Sequence, residues 1–358
     1  MKVVNIIPFG PQHPVLPEPI HLDMQTEGEI VTDVKVVVGY IHRGIEKGLE
    51  NDYEKNMFLA EKICGICSGV HTSTYSTVIE SIMGVEVPQR AELIRAIILE
   101  LERLHSHLLI IGLVGDAIGY ENFFMQTWRD REIVMNLLGT LTGNRVHYGI
   151  NKVGGVRRDL TDERIALIKK ALAELRPKVD DIADIVYHDY TLKKRGRGVG
   201  VLKKSDAIAL GIVGPNARAS GVNYDIRSTG YGAYKDLHFK PILGEAGDCH
   251  ERTVVRVKEL YQSMELIEEA LSLLKPGEIA VRPKGFPKGE AVARHEAPRG
   301  ELFYYARGIG KKEMYRVKVR TPTYANIPGI PPLVKGMQIA DVPYIVVSLD
   351  PCIACTER

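Results

Sequence analysis

The sequence predicts an α+β chain that is mainly α: a central helical bundle between a small N-terminal β-sheet and an irregular C-terminal segment. Three observations predict it. Long stretches from about residue 53 onward repeat apolar side chains at i, i+3 and i+4, the spacing that puts one face of a helix in a core. Before them, "IHLDMQTEGEIVTDVKVVVGYIHRG" is rich in Val and Ile around a central Gly, which suits a hairpin. After Pro276, Gly and Pro dominate and break up any long element.

"QRAELIRAIILELERLHSHLLIIG" carries Leu93, Ile94, Ile97, Ile98, Leu101, Leu104 and Leu108, the stripe of a well-buried helix. "TDERIALIKKALAEL" opens on Thr161 with two acids in its first turn, a helix start. Another helix starts at Asp248, with Glu251 three residues on as its capping-box partner, and stops at Lys275-Pro276-Gly277. "MYRVKVRT" and "PYIVVSLD" read as short β-like runs. No repeat or low-complexity linker divides the 358 residues, so residues 1–358 are expected to form a single domain.

Composition excludes several classes. A formal net charge of +2 leaves no field for nucleic acid. The basic patch "KKRGRGVGVLKK" (193–204) reads as a solvated loop. The best apolar stretch, from Leu108, is short and contains Asp116, so it falls short of a membrane span. The start has no signal-peptide core, which points to a cytoplasmic, thiol-reducing setting.

Four of the five cysteines form two C-x-x-C pairs, "KICGICSGVH" (Cys64, Cys67) and "DPCIACTER" (Cys352, Cys355); Cys249 reads as a small buried hydrophobe. Each pair is a two-thiol claw. Zinc knuckles set their claws about 15–20 residues apart, whereas here almost the whole protein lies between them. A thioredoxin-like dithiol needs one such pair on a βαβ pattern, and no such pattern is present. Spacing alone leaves a four-thiolate structural zinc site and a redox-metal site both open.

The residues around the claws extend the reading. Gly65, Ile66 and His71 beside the first claw and Asp350-Pro351 before the second resemble the two metal-binding signatures of nickel–iron hydrogenase large subunits. "HEAPRGELFYY" (295–305) and "TEGE" (26–29) resemble two further segments of that family. "FGPQHP", "GYIHRGIEKGLE", "GPNARASGVNYDIR" and "GDCHERTVVRVKEL" are similar to the quinone-pocket subunit of respiratory complex I, which lacks the four cysteines. A chain that resembles both resembles the energy-converting, membrane-bound hydrogenases of group 4. The Arg of its terminal "CTER", where most hydrogenases have His, agrees with that choice.

The resemblance implies the nickel–iron hydrogenase large-subunit fold and reversible heterolytic cleavage of H2. Its cofactor would be a nickel–iron centre whose iron carries CO and CN. Cys64 and Cys352 would be terminal nickel ligands, and Cys67 and Cys355 would bridge the metals. Cys352 would take the proton and pass it to Glu27, with Arg299 as a charged positioning group. Pro298, His71 and Asp350 would surround the centre, with His71 bonded to a bridging thiolate and Asp350 fixing Arg299.

Many relatives bind magnesium or iron between a C-terminal His and a glutamate. Here Glu46 is expected to pair with Arg358, with no third metal. No cysteine remains for an iron–sulfur cluster. The resemblance therefore implies a small subunit with a proximal 4Fe-4S cluster, ferredoxin as electron partner, and complex I-like integral membrane subunits. These would hold the chain peripherally on the cytoplasmic side of the membrane. The competing reading is a non-catalytic, complex I-like scaffold with a structural zinc site made by the four cysteines. The residues alone suggest bland roles for others: His105 and His107 pack or pair within their helix, and His13 is a turn residue.

Overall fold

The computed structural model describes residues 5–358. β1 (Asn5–Phe9), β2 (His21–Glu27) and β3 (Ile30–Val37) pair antiparallel in that order. Along β2, Leu22, Met24 and Thr26 are buried and the residues between them point away, the period of two that a one-faced sheet requires. Gly28 makes the hairpin turn at φ 61°, a conformation glycine adopts without a Cβ penalty.

Two short helices, α1 (Ile45–Gly48) and α2 (Asn56–Glu61), lead into α3 (Ser68–Met83). The bundle's axis is α4 (Gln89–Ala117), buried at every residue from Leu93 to Gly112. The apolar stripe accounts for one face of it. The other faces bury Glu100, Glu102, Arg103, His105, Ser106 and His107, which periodicity does not reveal. α5 (Glu121–Thr142) packs along α4, and a two-residue hairpin, β4 (Asn151–Lys152) and β5 (Gly155–Val156), follows. α6 (Asp162–His188) starts where expected, Thr161 accepting the Arg164 N–H at 3.4 Å.

The basic patch is not a plain loop. Lys193, Lys194 and Arg195 form the last turn of α7 (Tyr190–Gly196), and Arg195 pairs with Asp341 at 3.3 Å. α8 (Lys204–Ala209) and α9 (Pro215–Ala219) connect to α10 (Cys249–Leu273), capped by Asp248, which accepts the Glu251 N–H at 2.8 Å.

The C-terminal part holds a second antiparallel sheet: β6 (Lys288–Ala297), β7 (Gly300–Ile309) and β8 (Met314–Arg320). Pro298-Arg299 is the turn of the β6–β7 hairpin, so the "EAPRG" stretch is a tip that delivers Arg299. Gly300 sits there at φ 127°, and a Cβ on it would come within 2.7 Å of the Gly214 backbone; no other residue fits this contact. Four short helices close the chain: α11 (Pro322–Asn326), α12 (Ile330–Val334), α13 (Val342–Ser348) and α14 (Ile353–Thr356). "PYIVVSLD" is thus helical, not β-like. Pro343 lies in the first turn of α13, where its missing N–H costs nothing, and burial against α4 and α10 overrides the β-branched run.

Candidate metal centre

Both claws sit at helix N-termini. Cys67 is the N-cap of α3 and Cys352 the N-cap of α14. Backbone N–H groups reach two of the sulfurs: Ile66 donates to Cys64 Sγ at 3.2 Å and Cys355 to Cys352 Sγ at 3.4 Å. Across the claws, Cys64 Sγ lies 3.5 Å from Cys352 Sγ, and Cys67 Sγ lies 3.5 Å from Cys355 Sγ. The sulfurs of Cys64, Cys67 and Cys355 all lie within 4.8 Å of one another. All four residues are at most 2% exposed. The separations are too long for a disulfide at about 2.05 Å and suit thiolates sharing a metal at about 2.3 Å. Hydrogen bonds from Cys352, Cys355 and Cys67 hold the Cys64 thiol well below its usual range. Bonds to Cys355 and Cys64, together with burial, push Cys352 up. The donor set therefore fits a soft metal ion whose charge offsets that of the remaining thiolates.

The segment before the second claw is held in an unusual conformation. Asp350 has φ 58°, the one non-glycine residue at positive φ among the described residues. This turns both its backbone carbonyl and its carboxylate toward Arg299, which donates from Nε to the carbonyl at 2.9 Å and from Nη2 to Oδ1 at 2.6 Å. Nη1 of Arg299 reaches Ser106 Oγ on α4 at 3.3 Å. Burial alone would lower the guanidinium's pKa. Asp350 first, and then the cysteine sulfurs where they are ionised, more than reverse this and raise it, so Arg299 stays charged. Pro298 is buried beside it in the hairpin turn.

His71, fully buried on α3, bridges the site to β7: Nε2 lies 3.6 Å from Cys355 Sγ and Nδ1 lies 2.7 Å from the Tyr304 hydroxyl. Burial lowers its pKa to about 4, so the ring is neutral.

Glu27 is half-buried at the turn end of β2, opposite Ile30. Glu18, which no sequence motif singled out, touches the second claw. Glu18 accepts the backbone N–H groups of Ile353 and, at 3.0 Å, Ala354, the two residues between Cys352 and Cys355. Burial raises its pKa. Glu18 also lines a cavity of about 430 Å³ with Gln12, His13 and Leu16. Within that cavity's wall His13 is a turn residue, its carbonyl accepting the Leu16 N–H at 2.9 Å.

Three other residues hold the site together without a signal in the sequence. Arg43 donates to the carbonyls of Lys62 (2.8 Å), Ile63 (2.7 Å) and Ala354 (2.8 Å), tying the two claws to each other. Glu102 on α4 accepts the N–H groups of Gly69 (2.6 Å) and Val70 (3.0 Å) in the first turn of α3. Glu357 accepts from the backbone of Gly39 and Ile41, anchoring the tail.

Glu46 and Arg358 do meet, Oε1 to Nη2 at 3.3 Å. Glu46 also accepts from Lys318 at 3.0 Å and the Val319 N–H at 3.0 Å. Burial opposes ionisation of Glu46, but Val319, Lys318 and Arg358 outweigh it and hold the carboxyl below its usual range. Cys249 is buried and satisfied, 3.1 Å from Arg252 Nη2 and 3.4 Å from Ser348 Oγ. His105 and His107 pair with residues outside their own helix. His107 Nε2 lies 2.7 Å from Glu259 on α10, and His105 Nε2 lies 3.0 Å from the Tyr148 hydroxyl.

Two family models match. Residues 117–286 and 282–358 match the respiratory-chain NADH dehydrogenase 49 kDa subunit, and residues 43–111 match nickel-dependent hydrogenase. The chain is 42% identical to the membrane-bound hydrogenase subunit alpha of Pyrococcus furiosus, over 98% of this chain and 87% of that protein. It is 38% identical to the carbon monoxide-induced hydrogenase of Rhodospirillum rubrum, over 98% of this chain and 99% of that one. Among solved structures, a chain of the membrane-bound sulfane sulfur reductase, an archaeal respiratory membrane complex, superposes with a TM-score of 0.94 at 33% identity. That match covers 99% of this chain and 98% of the other. The helix-rich fold with small antiparallel sheets, the convergent claws and these likenesses agree: the chain belongs to the family that joins nickel-dependent hydrogenase large subunits to the 49 kDa subunit of respiratory complex I.

Proposed function

We propose that the chain is the catalytic subunit of an energy-converting, membrane-bound nickel–iron hydrogenase. The observation that carries this is the convergence of four buried thiols from opposite ends of the chain beside a buried, charged Arg299. A structural zinc site needs only the four thiols. The charged guanidinium held by Asp350, the neutral His71 and the Glu18 carboxylate are the added polar groups expected where protons are moved. When bound, a nickel–iron centre with CO and CN on iron would supply heterolytic H2 cleavage. Cys64, Cys67, Cys352 and Cys355 would hold it.

The chain's own residues have definite tasks. Arg299 offers fixed positive charge, because Asp350 and the thiols keep it protonated, and so it does not serve as a base. His71 donates from Nε2 toward Cys355 and fixes that sulfur, with Tyr304 setting its tautomer. We assign a proton-accepting role to Glu18 as well as to Glu27, because Glu18 is bonded between the two C-terminal cysteines and faces a cavity. Electrons would leave near Gly65, which is exposed at the tip of the first claw. They would pass to a small subunit with a 4Fe-4S cluster and then to ferredoxin. No described helix is long and apolar enough to cross a membrane, so attachment would come through integral membrane subunits. The Glu46–Arg358 pair would stand in for a third metal.

The longer match, to the 49 kDa complex I subunit, keeps one alternative in view: a non-catalytic scaffold whose four cysteines hold structural zinc. H2-dependent dye reduction by the purified complex tests the two. Activity that is lost in Cys355→Ser supports the hydrogenase; a complex inert to H2 yet intact refutes it.

A further inference from the structure

The stretches "GPNARASGVNYDIR" and "GDCHERTVVRVKEL" supply none of the four clustered thiols, yet Arg218, Asp225, Arg227, Arg252, Arg256 and Glu259 within them are buried. Around one guanidinium, that of Arg218, sit three carboxylates: Nη1 lies 2.7 Å from Glu296 Oε1 and 2.9 Å from Asp225 Oδ2, and Nη2 lies 2.8 Å from Glu259 Oε1. A fourth acid, Glu100, joins through Arg227, which bonds Asp225 at 2.8 Å and Glu100 at 3.2 Å. All six side chains are at most 1% exposed.

Burying charge at this depth costs more than the pairs return unless every charge is matched. The matching is uneven. Asp225 has Arg218 and Arg227, while Glu100 has Arg227 and, at 3.1 Å, Arg103. Glu259 has Arg218 and the His107 ring at 2.7 Å. Glu296 shares its one guanidinium with two other acids. Its remaining near neighbours bring no further cation to its carboxylate. Arg103 bonds its backbone carbonyl at 2.8 Å, the Ile226 N–H approaches Oε2 at 3.4 Å, and the Tyr231 hydroxyl accepts its backbone N–H at 3.1 Å. Arg256, one turn before Glu259, bonds Asn216 and the Arg252 carbonyl in place of a carboxylate. His107 adds no charge. Burial lowers its pKa to about 4, and its Nδ1 is buried without a partner.

We propose that this cluster is a buried proton-binding site, with Glu296 the carboxyl that takes up and releases the proton while Arg218 and Asp225 hold it in place. Burial first, and then the like charge of Asp225, push Glu296 up to about 7, against the pull of Arg218, Arg227 and Arg103. Glu296 is three residues from Arg299 along the same hairpin, so the proton is stored beside the candidate metal centre. The site's existence is independent of the function proposed above; only its use in a reaction that makes or consumes protons rests on that reading.

The test is an infrared pH titration of the purified complex, following the C=O stretch of protonated carboxyl groups as wild type minus Glu296→Gln. A difference band that disappears with a midpoint near pH 7 is expected. A spectrum in which no such band titrates, or one identical in the variant, overturns the proposal. Asp225→Asn provides a second variant should Glu296→Gln fail to fold. Removing the like charge should move the midpoint to lower pH, and an unmoved midpoint overturns the proposal equally. Neither outcome depends on H2 activity, so an inert complex with the band present would refute the hydrogenase while leaving the proton site standing.

Discussion

Replacing Asp350 by Asn isolates the charge that holds Arg299. Asn tolerates the positive φ of 58° that position 350 adopts. It also keeps the backbone carbonyl that accepts from Arg299 Nε at 2.9 Å and the shape of the side chain. What it removes is the anionic half of a pair 2.6 Å apart in which the partners are 3% and 2% exposed. Breaking a buried pair from one side costs about 3–5 kcal/mol, because a charge is left buried and unmatched. The thiol of Cys64, whose pKa is held low, also favours the charged guanidinium and offsets part of that loss. The expected cost is therefore at the lower end, about 3 kcal/mol, or roughly a hundredfold in the folded-to-unfolded ratio. Arg299→Met should cost a similar amount. The double variant buries no unmatched charge and should be less destabilised than the sum by about 2 kcal/mol. Urea unfolding monitored by the fluorescence of the single tryptophan, Trp128, reads all three. A cost below about 1 kcal/mol for Asp350→Asn, or strict additivity in the double variant, would refute the view that Asp350 is the counter-charge of Arg299.

Glu18→Gln should lower H2-dependent dye reduction by about 10²-fold or more with metal content unchanged. Full activity in Glu18→Gln would refute this role for Glu18. Arg43→Ala removes three hydrogen bonds across the claws. Because Arg43 is exposed, about 1–2 kcal/mol of stability should be lost, seen as a lower unfolding temperature. His107 and His295 have pKa values lowered by burial to about 4 and about 3. The unfolded chain binds protons at these rings near pH 6.5 and the folded chain does not. Stability should thus be lost as pH falls below about 6.5, by up to about 3 kcal/mol for His107. A flat stability profile between about pH 6.5 and 4 would contradict this. Arg358→His should create a divalent-ion site with Glu46, detectable by metal analysis as one ion more than the native chain binds.

The sequence and the structure part company in particular places. The starts of α6 and α10 were legible because Thr161 and Asp248 cap in the local way their sequences advertise. The apolar stripe of α4 was legible too, but its buried polar faces were not, since Glu102 and Ser106 make sense only beside α3 and Arg299. "PYIVVSLD" misled because β-branched residues buried on all sides follow packing over propensity. The claws were visible as spacing, whereas Glu18 was not. It lies between prolines, with no periodicity, and is defined by contacts to residues more than 300 positions away. Arg43 was hidden for the same reason.

The most direct test of the whole account is metal analysis of the purified complex together with its infrared spectrum. Equal nickel and iron at this subunit, beyond the iron of the cluster-bearing partners, with carbonyl and cyanide bands that vanish in Cys64→Ser, is the predicted result. Zinc bound by the four cysteines, with neither nickel nor those bands, would contradict it.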